Sequence, residues 1–174
     1  MTMRSKQFRS ELVAMLPRLR RFALALSRNR QDADDLVQTA VVRALTQEDA
    51  AQNAERLDSW MYRIVKNLWI DERRRQAVRG TPEPIDNLND AAGDDGRRHT
   101  EARSDLAQAQ RIFDRMSAEL QTAAVLVIVN GLSYREAADL LEVPIGTVMS
   151  RVSRARRALA EGLSQTPSGM ASNQ

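Results

Sequence analysis

The stretch GLSYREAADLLEVPIGTVMSRVSRARR (Gly131–Arg157) decides the reading of this chain. Ser133 and, three residues on, Glu136 form a capping-box pattern, which opens a helix by satisfying its free N–H groups reciprocally. Apolar residues then recur at helical spacing as far as Leu141. Glu142-Val143-Pro144 reads as a tight turn, and a last helix follows from about Gly146 to Gly162. At 100° per residue, Val148, Val152, Ala155 and Leu159 of that helix share one side. Gly146, Ser150, Ser153, Arg154 and Arg157 fall on the other, flanked by Thr147, Met149 and Arg156, with no acid before Glu161. A helix, a turn and a second helix with a basic outer face is the layout of a helix-turn-helix, which seats its second helix in the major groove of DNA. Arginine takes the O6 and N7 of guanine bidentately, and serine bonds several base edges. Met149, Ser150, Ser153 and Arg154 are therefore the candidate base readers. Thr147, Arg151, Arg156 and Arg157 are assigned to phosphates, which position without specifying.

The 174 residues suffice for one ordinary domain or two small ones. Strand signals are weak and helical periodicity is strong, so the expected fold class is all-α. Phe8, Leu12, Met15, Leu16 and Leu19 mark a first helix, in which Pro17 either introduces a kink or starts a second helix. A second runs over Gln31–Leu45, with Asp32, Asp34 and Asp35 placed to cap it and Leu36, Val37, Ala40, Val41, Ala44 and Leu45 as its apolar stripe. Thr46–Arg56 is polar. Asp58 or Ser59 caps a third helix to about Gln76, with Trp60, Met61, Ile64, Val65 and Leu68 facing inward. Residues 80–100, GTPEPIDNLNDAAGDDGRRHT, have no periodicity and read as a flexible acidic linker between helical modules at 1–79 and 101–163. In the second module, Leu106, Ala109, Ile112, Phe113 and Met116 predict one helix. Ala118–Val129 predicts a buried one, closed by Gly131. Residues 164–174 read as a disordered tail, and no further module is expected beyond it.

Charge is uneven along the chain. Residues 1–79 carry 16 Lys/Arg against 10 Asp/Glu, whereas residues 80–100 carry 2 against 5. A basic first half points to a polyanionic partner. Its most suggestive segment is SWMYRIVKNLWIDERRR. There Tyr62, Arg63, Lys66, Asn67, Trp69, Ile70, Arg73 and Arg74 are candidates for an outward face that stacks on bases and follows a backbone, as single-strand binders do. The alternative reading makes Trp60 and Trp69 plain core and the arginine run a solvated helix end. With no cysteine, no apolar run of membrane-span length and no signal-peptide core, the chain is expected to be soluble and cytoplasmic.

Two segments together identify a family. DADDLVQTAVVRAL (Asp32–Leu45) with LDSWMYRIVKNLWIDERRR (Leu57–Arg75) resembles the second conserved region of extracytoplasmic-function sigma factors, bacterial transcription-initiation subunits. GLSYREAADLLEVPIGTVMSRVSRARRAL (Gly131–Leu159) resembles their fourth. The resemblance implies that the Asp32–Leu45 helix holds the clamp of core RNA polymerase, with Asp32, Asp35, Leu36, Gln38, Thr39 and Arg43 as contacts. It implies that Asn67 helps hold a flipped base of the melted −10 strand, which the loop Asn53–Asp58 reads. The Gly146–Arg157 helix would read the −35 element and its module would touch a polymerase flap. The linker would thread toward the polymerase active site, and an anti-sigma protein would restrain the whole. The chain departs from the family's pattern where the turn usually has glycine and here has Glu142. It departs again at Met149, where a basic residue is common, and over MSAELQTAA (Met116–Ala124), which is less charged than usual.

Rival readings are poorer. His99, the sole histidine, falls in the linker, and capping accounts for the three early aspartates without a Mg²⁺ site. No enzyme, cofactor or metal is expected. A dimeric duplex-binding regulator would need neither Asn67 nor Trp69, and a decoy that only titrates an anti-sigma protein would need no base readers.

Overall fold

The structure is a computed structural model, and it describes residues 3–54, 56–79 and 100–164. Among them every regular element is helical. The expected linker, except its last residue Thr100, lies outside the described residues, and so does the tail beyond Ser164.

Helix α1 runs unbroken over Met3–Ser27 with Pro17 inside it, so Pro17 starts no second helix. Phe8, Leu12, Met15 and Leu19 face inward as their spacing predicts. Helix α2 (Arg30–Thr46) begins one residue before the expected start. Its cap is Asn29, whose side chain accepts from the Asp32 N–H, and not one of the aspartates. A short α3 (Glu48–Gln52) occupies the polar stretch. Helix α4 (Leu57–Arg79) packs against α1 and α2 through Met61, Ile64, Val65 and Leu68. Each large apolar side chain buried in this way contributes about 1.5–3 kcal/mol.

In the second module α5 (Thr100–Asp114) and α6 (Ala118–Ala124) flank α8 (Ile145–Ser164), and α7 (Tyr134–Leu141) crosses α8 as the first arm of the helix-turn-helix. The expected Ala118–Val129 helix is α only to Ala124. Val125–Val129 is π-helical, with the Asn130 N–H donating to the carbonyl of Val125. Gly131 follows at φ +76, a left-handed conformation that glycine adopts without steric cost. Leu106 was expected to be on an apolar face, but it is 70% exposed.

The two modules do not stand apart. Most of their buried apolar side chains form one hydrophobic cluster from Phe8 on α1 to Val152 on α8, and Met116, Ala124 and Ala155 form a second, smaller one. Helix α1 packs on α6 and the π-helical segment, and α4 packs on α7.

Candidate nucleic-acid interface

Helix α8 presents the face its sequence predicts. Val148, Val152 and Ala155 are buried, while Gly146, Ser150, Ser153, Arg154, Arg156 and Arg157 are exposed, as is Met149 at 51%. Thr147 and Arg151 are half-buried at the edges. Arg151 leans toward Glu119 at the start of α6. That carboxyl is held below its ordinary value, first by a backbone N–H, then by the Ser117 hydroxyl, with Arg151 adding to the pull. The helix owes its angle to the arm before it. Ser133 accepts from the Glu136 N–H and Glu136 accepts from the Ser133 N–H, so both halves of the capping box are made. The result is a row of hydroxyls and guanidinium groups on a rigid, two-helix mount, which is what groove reading requires.

Helix α4 divides its candidates. Arg63, Asn67 and Arg74 are exposed. Trp69 is half-buried, and the Arg73 guanidinium lies 5.7 Å from its ring centroid, in cation–π range. Tyr62 is not on the outer face at all. It is 0% exposed and meets Phe22 of α1 edge to face, with ring centroids 5.3 Å apart. Burial pushes its phenol above the ordinary value, against the pull of Arg18. Lys66 is also turned in, at 7% exposure. Its Nζ donates to the Leu140 carbonyl at 2.9 Å and to Glu142 Oε1 at 2.6 Å. Sequence reasoning missed both because α4 is covered on two sides, by α1 and by α7, and the second cover comes from the far end of the chain.

The Glu142 carboxyl is held below its ordinary value by the hydrogen bond from Lys66 and by that cation's charge. In the loop before α4, Arg56 pairs with both Asp58 and Glu136, so this loop too reaches the helix-turn-helix. At Asp58, burial raises the carboxyl, but bonds from Arg56 and the Ser59 N–H outweigh it and the net shift is downward.

On α2, Asp35, Gln38, Thr39 and Arg43 are exposed and Asp32 is half-buried. Burial raises the Asp32 carboxyl, and so do the nearby charges of Asp35 and Glu72. Leu36 is a correction: at 8% exposure it belongs to the core, and the exposed apolar residues of α2 are Val42 (59%) and Leu45 (41%). The apolar stripe itself placed Leu36 inward, and only the resemblance made it a contact; Leu45, on the same stripe, is exposed in the last turn of α2. Among the described residues no cluster of His, Cys, Asp or Glu could hold a metal ion. No described helix is long and apolar enough to cross a membrane.

Helices α1 to α4, a helix-turn-helix in the second module and a basic outer face on its last helix define a sigma-70-type architecture. The family model for Sigma-70 region 2 matches residues 12–79, and that for Sigma-70 region 4 matches residues 106–159. The chain belongs to the extracytoplasmic-function RNA polymerase sigma factors. It is 32% identical to the ECF RNA polymerase sigma factor EcfG of Rhodopseudomonas palustris, over 87% of this chain and 82% of that one. It is 33% identical to the sigma factor SigM of Mycobacterium tuberculosis, over 87% of this chain and 74% of that one. Among solved structures it resembles the sigma factor RpoE of Bartonella quintana, crystallised in complex with the anti-sigma factor NepR. There the identity is 31%, the TM-score is 0.72, and the match covers 92% of this chain and 98% of that one.

Proposed function

We propose that this sigma factor binds core RNA polymerase in the cytoplasm and selects promoters by two separate readings of DNA. In this reading α8 takes the −35 duplex, with Met149, Ser150, Ser153 and Arg154 on bases and Gly146, Thr147, Arg151, Arg156 and Arg157 along the backbone. The outer face of α4 takes the melted −10 strand through Arg63, Asn67, Trp69, Arg73 and Arg74. Tyr62 drops out of that set because it is core. Lys66 can join it only when α7 leaves. The polymerase clamp meets α2 at Asp32, Asp35, Gln38, Thr39 and Arg43. An anti-sigma protein is the proposed regulator, since a similar sigma factor has been crystallised with one.

The observation that carries the proposal is the one-sided face of α8, in a chain that also has a region-2 module. A duplex-binding regulator has no use for that module. The test is transcription in vitro with purified core polymerase on the promoter upstream of the chain's own gene. A start-specific transcript that depends on the added chain is the expected result. No transcript together with no binding to core polymerase would overturn the proposal.

A further inference from the structure

Two non-glycine residues among those described have positive φ, Arg28 at 56° and Glu142 at 58°. Each directly follows a helix, α1 or α7, and donates its N–H back to that helix, to Leu24 O and Ala138 O respectively. This is the helix-end position that glycine fills without steric conflict, and side chains with a Cβ are disfavoured there. Local folding alone would therefore choose glycine at both. Both residues instead use their side chains to reach the other module. Arg28 donates from Nη2 to the Asp114 carbonyl at 2.8 Å and from Nη1 to the Met116 carbonyl at 3.2 Å. Glu142 takes the ammonium of Lys66.

Further contacts cross between the modules. Arg18 Nη2 donates to the Asn130 carbonyl, and Asn130 Nδ2 donates back to the Arg18 carbonyl at 3.3 Å. Thr122 donates to Ala25 O, and Arg56 pairs with Glu136.

We propose that the free chain rests in a closed state in which Arg28 and Glu142 are clasp residues, fastening the two modules at two separate points and holding Lys66 under α7. In this closed state only one of the two surfaces is covered: Lys66 is buried and Arg56, in the loop before α4, pairs with Glu136, while the α8 face stays exposed. Duplex contact by α8 can precede release, while engagement of α4 with a melted strand requires it. That last consequence rests on the proposed role of α4; the clasp itself does not.

The chain has two lysines, Lys6 and Lys66. Lys6 is exposed and serves as an internal reference. An amine-acylating reagent, read by mass spectrometry on the full chain, should modify Lys66 far more slowly than Lys6. In Arg28→Gly the Lys66 rate should rise several-fold relative to Lys6, although Arg28 does not touch Lys66. Glycine costs the backbone nothing at φ 56°. Arg28→Asn, also tolerant of this region but too short to reach Asp114, should do the same. The far-UV helix signal identifies any variant that fails to fold, and the other is then decisive. An unchanged Lys66 to Lys6 ratio in a folded variant, or equal rates in the unaltered chain, would overturn the proposal. The readout needs neither polymerase nor promoter, so its failure is distinct from failure of the initiation role.

Discussion

Arg154 is exposed on the basic face of α8, one turn after Ser150. If its guanidinium is bidentate to a guanine, Arg154→Ala should lose about 1–3 kcal/mol of discrimination at one base pair of the −35 element. Competition binding against single-site promoter variants measures this, and an equal loss on every sequence would move Arg154 to the phosphate class. Asn67→Ala should spare duplex binding and reduce open-complex formation, read by permanganate footprinting of the −10 region. Tyr62 carries a different expectation, because it is core. Tyr62→Phe should leave both promoter opening and stability nearly unchanged, whereas Tyr62→Ala should cost about 3–5 kcal/mol in denaturant unfolding, as for other large buried rings. Glu142 adds a pH dependence. Its carboxyl is depressed below an ordinary value of 4.5 by Lys66. Its contribution to the closed state is therefore fully present above about pH 4.5 and is lost as pH falls through the lower folded value. Acid titration followed by Lys66 hydrogen-exchange neighbours on α7 should detect loosening below that pH and none between pH 6 and 8.

At the scale of elements, the capping box fixes the start of α7, the arm against which α8 packs. Ser133→Ala should destabilise the helix-turn-helix by about 0.5–2 kcal/mol, measured by thermal unfolding, and weaken −35 binding without altering base preference. Much of this arm was legible in the sequence. The box, the apolar side of α8 and its exposed arginines all follow from spacing within thirty residues, and each is where spacing places it. The same holds for the inner side of α4 at Met61, Ile64, Val65 and Leu68. What spacing could not supply was any contact made from a distance. Lys66 looked like an outward cation because periodicity describes one helix at a time, and its cover comes from residues 140 and 142. Tyr62 was misread for the same reason, since Phe22 lies forty residues upstream. The π-helical turn at Val125–Val129 left no periodic trace, because five apolar residues in a row fit either helix type. Asn29, not an aspartate, caps α2, since several polar residues there were equally able to do so.

At the scale of the molecule, two modules share one buried cluster, so they should unfold together at first. Urea denaturation of the intact chain should show a single transition. Arg28→Gly should split or broaden it if opening uncouples the halves; a single sharp transition in a variant whose Lys66 is freely acylated would argue that the shared apolar cluster, not the clasp, maintains cooperativity. The two left-handed residues carry a final consequence for how such a chain changes under mutation. Codons for arginine and for glutamate both lie one base from codons for glycine. Random mutation thus keeps offering, at Arg28 and at Glu142, a replacement that relaxes the backbone while unfastening the switch. Most mutations that raise a regulator's output do so at some expense to its fold; here the two would travel together. A selection for reporter expression without an inducing signal should therefore return glycine at these two positions.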